Sequence, residues 1–277
     1  MRPGAVSLNV ADLERVQAFY QETIGLHPIG RDTEVLRLGA DGSTLVGLID
    51  IPDGPRRPPR TTGLFHLAIL LESRLELARA LSRVARSGWS LTGASDHLVS
   101  EALYLNDPEG NGIELYRDRP REDWPFTDGQ LEMSTLPLDL NDVAVELVGT
   151  DPGPGGVEAG ARIGHLHLNV ADLDRAEAFY CGLLGLEVTV RGYPGALFVS
   201  SGGYHHDLGL NTWAGQGAPP PPAGALGLDR FELVVDEALE LDRIERRLSE
   251  AGIEAERSDD GIRVADPSAN RLLLTTR

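Results

Sequence analysis

Apolar and polar residues alternate at the start of the chain. Val6, Leu8 and Val10 are separated by Ser7 and Asn9, the period-two pattern of a half-buried strand. Asp12 comes next, a short carboxylate suited to capping the free amides of a helix start. Leu13, Val16, Phe19, Tyr20 and Ile24 then recur at helical spacing as far as Gly25, where a helix would stop. The same pattern returns without a gap 160 residues later: GAVSLNVADLERVQAFYQETIGL at 4–26 becomes GHLHLNVADLDRAEAFYCGLLGL at 164–186. Leu166, Leu168 and Val170 form the second strand, Asp172 the second cap, and Leu173, Ala176, Phe179, Tyr180 and Leu184 the second helix face. A match of this length at one fixed offset means duplicated structure.

A fainter repeat lies within each half. FHLAILL (65–71) reads as a strand, Arg74 to Arg86 as a helix, and YLNDPEGNGIELY (104–116) as strand, tight turn and strand. The last quarter mirrors it with RFELVVD (230–236), a helix from Glu237 to Ala251, and VADPSANRLLL (264–274). The fold class is therefore α+β, with four modules of strand, helix and several strands over about 1–60, 61–118, 160–216 and 224–277. Modules 1 and 2 make one domain (1–118) and modules 3 and 4 another (160–277). The stretch 119–159, with Pro120, Pro125, Pro152 and Pro154, reads as a linker, and Pro219–Pro222 mark the joint between modules 3 and 4.

Charge narrows the chemistry. The net charge is -18 and all 25 basic residues are arginine, so nucleic acid and anionic lipid would be repelled and no lysine Schiff base can form. A small neutral or aromatic substrate fits better than a polyanion. One cysteine, Cys181, excludes an internal disulfide framework and fits a reducing compartment. The first residues lack the pattern of a signal peptide, and no apolar run reaches the roughly 20 residues of a membrane span. These features predict a cytoplasmic protein. Self-association into a homo-oligomer is compatible with the sequence, through an apolar or arginine-rich surface.

Fourfold βαβββ modules resemble the vicinal oxygen chelate superfamily, in which two modules pair as a cupped barrel around a metal. The motifs GHLHLNVADL, SDHLVSEALYLNDPEGNGIELYRDRP and SSGGYHHDLGLNTW are similar to those of two-domain extradiol dioxygenases of the catechol 2,3-dioxygenase type. The resemblance runs over nearly the whole chain and is faintest in module 1 after residue 30 and in the linker. It implies a metal-binding histidine five residues before an apolar residue at a module's head strand. Module 2 has His66 before Leu71 and module 3 has His165 before Val170, whereas modules 1 and 4 have Ala5 and Arg230 there. It also implies a carboxylate ligand just after the DPxGN turn, which is Glu114 in module 2 and Leu273 in module 4.

That distribution bears on architecture. Pairing modules 2 and 3 brings His66, Glu114 and His165 into one cavity and leaves modules 1 and 4 as a barrel without ligands. A His165–Glu114 separation beyond about 10 Å would exclude this, given metal–ligand bonds of about 2.0–2.2 Å. Two histidines and a carboxylate form the facial triad of non-heme Fe(II) oxygenases, with open positions for a catechol's two oxygens and for O₂. Fe(II) is the expected ion, with Mn(II) or another divalent metal as alternative. The resemblance implies further roles in the breakdown of aromatic diols: His206, in GYHHDLGLN, as acid/base, with His205 beside it on a strand whose alternation turns one of the two inward, and Tyr104 and His97 as partners of a substrate oxygen.

Singly, each residue has a structural explanation. A strand histidine is usually a core or edge residue, Glu114 could be a solvated charge, Tyr104 could be packing, and DPEGNG is foremost a turn. His167 would share the face of His165, and His27 would lie at the surface. Two other readings of the superfamily stay open: a metal-dependent lyase or isomerase, which would want a fourth protein ligand, and a metal-free ligand-sequestering resistance protein.

Overall fold

The computed structural model describes residues 1–150 and 155–276. Pro152 and Pro154, two of the residues read as linker, lie outside the described residues. Module 1 opens with β1 (Arg2–Val10), then α1 (Leu13–Phe19), and β2 (His27–Arg31), β3 (Val35–Ala40) and β4 (Ser43–Asp50). Asp12 Oδ1 accepts the Arg15 backbone N–H, which makes it the cap that its position promised. The helix loosens into a π turn over Tyr20–Ile24 and stops at Gly25, whose φ of 92° is left-handed. Module 2 contains β5 (Gly63–Leu71), α2 (Arg74–Arg86), β6 (Gly93–Asp96), β7 (Ser100–Asn106) and β8 (Gly112–Asp118).

The stretch after module 2 has short elements of its own: β9 (Phe126–Thr127), β10 (Gln130–Leu131), β11 (Leu136–Pro137) and α3 (Leu140–Ala144). Arg74 on α2 binds it down, with Asp142 at 2.6 Å and Glu146 at 3.2 Å while also reaching Glu101 at 2.9 Å. Module 3 repeats module 1 with β12 (Arg162–Asn169), α4 (Leu173–Glu177), a second π turn over Ala178–Leu183, β13 (Glu187–Val190), β14 (Ala196–Ser200) and β15 (Leu208–Asn211). Module 4 closes with β16 (Gly227–Val235), α5 (Ala238–Glu250), β17 (Ala255–Ser258), β18 (Gly261–Ala265) and β19 (Arg271–Thr276).

Two large sheets collect these strands. One runs β11-β6-β7-β8-β5-β12-β15-β14-β13, the strands of modules 2 and 3; the other runs β17-β18-β19-β16-β1-β4-β3-β2, those of modules 4 and 1. The expected pairing of modules is thus the one the strands adopt. In modules 2, 3 and 4 the head strand lies parallel to the last one, β5 to β8, β12 to β15 and β16 to β19. A head-strand residue and a last-strand residue of the same module therefore stand side by side.

By compactness the chain forms two units. One comprises Met1–Asn9, Gly54–Phe65 and Gly164–Arg277. In it Tyr180 donates to buried Asp266 at 2.9 Å, Thr62 donates to the Ser268 carbonyl at 2.7 Å, and Asn9 to that of Ala225 at 3.0 Å. Burial pushes the Asp266 carboxyl up in pKa, against the pull of Asn270, Tyr180 and two backbone amides. The other comprises Val10–Asp53 and His66–Ile163. In it Glu109 Oε1 accepts the N–H groups of Ala11 and Asp12 at 2.8 and 2.9 Å, and Phe19 packs on Trp89. Leu67, Ile69, Leu103 and Leu115 are fully buried there, each contributing on the order of 1.5–3 kcal/mol by leaving water.

Candidate active site

The parallel register of β5 and β8 sets His66 opposite Gly112 and Ala68 opposite Glu114. It leaves His66 Nε2 3.0 Å from Glu114 Oε2. The turn before β8 is held by buried Asp107, whose Oδ1 accepts the amides of Glu109 and Asn111 and whose Oδ2 accepts Asn111 Nδ2. The turn therefore fixes where β8 starts and so where Glu114 points. On the other side of β8, Tyr104 is the antiparallel partner of Glu114. The Tyr104 ring lies 5.7 Å from that of His66, and its hydroxyl lies 2.6 Å from His97 Nε2. His97 Nδ1 donates to the Ser134 carbonyl at 2.7 Å.

The second half of the constellation stands on β12 and on the turn between β14 and β15. His165 and His167 share one face of β12, as period-two alternation requires. The His165 ring lies 4.1 Å from that of His206 and 6.2 Å from that of His205. One expectation needs correction here. Residues 204–207 are irregular backbone ahead of β15 rather than strand, so alternation does not separate the two histidines. Both are buried, and their Nδ1 atoms are 2.7 Å apart. The Gly202–Gly203 turn that precedes them lets the chain double back in this way. Asp207, next along, accepts the Ser201 amide at 2.7 Å.

Among the described residues, one group of side chains has the makings of a metal site. Ligand atoms of His66, Glu114 and His165 all lie within 4.8 Å of one another, well inside the 10 Å or so that the shared-cavity expectation allows. The donor set fits a divalent ion. Two adjacent ligands at about 2.1 Å from a common ion are about 3 Å apart, the separation of His66 Nε2 and Glu114 Oε2. All three residues are nearly inaccessible, at 6%, 2% and 2% exposure, and a carboxylate buried this deeply needs a countercharge. The matching positions elsewhere hold other chemistry. Arg230 bonds to Asp229, Leu273 is buried, and the Ala5 amide donates to Glu232.

Several residues around these were not singled out from sequence. Ser134 enters through a backbone carbonyl, which no residue pattern advertises. Phe65, Phe198 and Trp213 ring His167, with centroid separations of 5.2 Å to Phe65, 5.7 Å to Phe198 and 5.1 Å to Trp213, and Tyr193 packs on the last two. Gly209, the β15 partner of His167, was the one legible hint: a β-carbon there would come within 2.9 Å of the imidazole. His27 is exposed on β2, as expected.

Modules and sheets define a protein of repeated βαβββ units, with one His/Glu/His group of the kind that could hold a divalent ion. The chain belongs to the Glyoxalase/Bleomycin resistance protein/Dioxygenase superfamily, whose family model matches residues 2–115 and 162–272. It is 43% identical over 269 residues to a catechol-2,3-dioxygenase of Bacillus subtilis (strain 168), covering 95% of this chain and 93% of the relative. Biphenyl-2,3-diol 1,2-dioxygenase 3 of Rhodococcus globerulus is 27% identical over 129 residues, which is 44% of this chain and 68% of that one. Among solved structures, one from Bacillus subtilis subsp. subtilis str. 168 superposes with a TM-score of 0.69 at 13% identity, covering all of this chain and 85% of that one. Glyoxalase I of Zea mays gives 0.59 at 15% identity, over 99% and 92% of the two chains. These two structures show the shared fold. No helix among the described residues is long and apolar enough to cross a membrane.

Proposed function

We propose that the chain is an extradiol dioxygenase that opens the ring of a catechol-like substrate with O₂, using one divalent metal held by His66, Glu114 and His165. The observation that carries the reading is this three-donor group in a chain 43% identical, nearly end to end, to a catechol-2,3-dioxygenase. When bound, Fe(II) or Mn(II) would supply neighbouring open positions for the two catechol oxygens and O₂, and a path for electrons between them.

The chain's own residues do the rest. One carboxylate and two neutral imidazoles leave a divalent ion with a net positive charge, which favours a deprotonated diol. His206 takes the catechol's second proton and returns it. Its Nδ1 lies 2.7 Å from that of His205, which orients the ring. Tyr104 and His97 hold a substrate oxygen beside Glu114. Because the Ser134 carbonyl can only accept, His97 carries its hydrogen on Nδ1, and a neutral ring then accepts the Tyr104 hydroxyl at Nε2.

One observation weighs against the lyase or isomerase reading. The acid nearest in sequence to the site histidines, Asp207, accepts the Ser201 amide and is not part of the donor group. A four-ligand set therefore has no carboxylate from module 3. The test is direct: protein loaded anaerobically with Fe(II) should turn catechol yellow once air is admitted. If catechol and its alkyl derivatives all stay intact while the metal is bound, the lyase or isomerase reading replaces this one.

A further inference from the structure

One cavity, of about 320 Å³ and with no histidine in its lining, lies wholly within the unit of Met1–Asn9, Gly54–Phe65 and Gly164–Arg277. Two proline-rich crossings supply most of its wall, one from module 1 to module 2 and one from module 3 to module 4. The crossings are tied together. The Thr62 amide donates to the Pro219 carbonyl at 3.0 Å, and the Leu226 amide to that of Pro55 at 2.9 Å. Asn9 Nδ2 donates to the Ala225 carbonyl at 3.0 Å, which holds the second crossing to β1. Proline fixes its own φ, so walls of this kind keep their shape when empty and binding costs little ordering. The volume suits a small molecule.

Arg57 lines this cavity without a counterion. It is half-buried, its Nη1 donates to the Leu64 carbonyl at 2.6 Å, and among the described residues no carboxylate pairs with it. The chain has 43 acidic residues against 25 basic ones, so the lack is not for want of partners. Asp229, the carboxylate in the lining, is engaged by Arg230 at 3.1 Å and by Arg271. Burial draws the Arg57 guanidinium below its ordinary pKa, as expected of a cation stripped of water with no charge in exchange. Around it the lining is apolar, through Pro220, Pro221, Ala225, Leu226 and Leu228.

We infer that this cavity is a second ligand site, which takes a small monocarboxylate with an apolar body. The carboxylate sits on the Arg57 guanidinium, whose fork of N–H donors matches it, and the body lies against Pro220, Pro221 and Leu228. A dianion such as phosphate fits less well. It would want a second free cation and apolar walls give it nothing, while Asp229 stands in the same lining. The site uses none of the residues assigned to ring cleavage and stands whether or not that reading does.

Anaerobic calorimetric titration of the Fe(II)-loaded chain with benzoate tests this, with benzamide and inorganic phosphate as controls. Benzoate should saturate one site with a Kd of about 1 mM or tighter, a modest efficiency for nine heavy atoms. Benzamide and phosphate should each bind at least tenfold more weakly. Arg57→Met should weaken benzoate at least tenfold, the scale of a lost charge-assisted hydrogen bond, and Arg57→Lys should recover part of it. Ala223→Glu, at the exposed rim of the cavity, sets a negative charge there without touching Arg57 and should weaken benzoate several-fold. It decides the matter if Arg57→Met does not fold. The same titration without added metal should give the same isotherm, because a carboxylate on the ion would need the ion. No saturable benzoate binding, binding unchanged in Arg57→Met or in Ala223→Glu, or heat that appears only with Fe(II) overturns the site. Benzamide or phosphate binding as tightly as benzoate overturns the ligand class.

Discussion

The Tyr104 hydroxyl stands 2.6 Å from His97 Nε2, and the far nitrogen of that imidazole is tied to the Ser134 carbonyl at 2.7 Å. A carbonyl accepts and never donates, so this short relay places a hydrogen on His97 Nδ1. Tyr104 also sits opposite Glu114 in the β7–β8 register. Tyr104→Phe and His97→Leu should each lower kcat/KM about 10- to 100-fold with the metal retained. The double variant should lose little more than either single one, because the two groups act as a unit. Losses that multiply in steady-state kinetics would show that they act separately.

His206 is assigned the proton transfer, and its ring lies 4.1 Å from that of a proposed metal ligand. His206→Phe preserves size and ring contacts but removes both nitrogens. It should keep the metal, measured by elemental analysis, and lose about 10²- to 10⁴-fold in kcat, the usual worth of a positioned acid/base. Turnover within threefold of wild type would assign the transfer elsewhere.

How far the sequence could lead is clearest at these residues. His66, His165 and Glu114 stood out as candidates because the module repeats itself: each could be compared with a counterpart that lacks it, Ala5, Arg230 or Leu273. The helix from Arg74 to Arg86 was legible to the residue, since Ser73 caps it and its apolar stripe is regular. The backbone of His205 and His206 was not. Leu208 and Leu210 alternate as a strand should, and nothing local shows that pairing stops before Asp207. The π turns after Phe19 and Glu177 were also hidden, because the same apolar residues fit an α-helix. The order of the stretch after module 2 depends on Arg74, about 70 residues away, reaching Asp142 and Glu146, and pattern carries no such long-range information.

Gly209 gives a packing prediction. A methyl group there would come within 2.9 Å of the His167 ring, which is buried and cannot swing out freely. Gly209→Ala should destabilise the fold by about 1–3 kcal/mol, the typical cost of overpacking, read as a lower midpoint in urea unfolding. An unchanged midpoint would mean that the His167 ring can yield.

Cys181 gives a chemical one. Burial, helped by the charges of Glu177 and Glu187, pushes its thiol up to about 11 from an ordinary 9.0. At pH 8 the native protein should react with iodoacetamide about a hundredfold more slowly than the urea-unfolded chain. The sign for stability is then set: the native state holds this proton more tightly, so the contribution is complete below about pH 9 and is lost as pH rises through 11. Equal alkylation rates in the two states would contradict the shift.

The central claim is that three side chains from modules 2 and 3 make one metal site. Anaerobic equilibrium titration with Fe(II), read as bound metal per chain, tests it most directly. Wild type should bind one equivalent, while His165→Ala and Glu114→Gln should each weaken binding at least a hundredfold with the fold intact by circular dichroism. Full, tight binding of one equivalent by His165→Ala would contradict the claim.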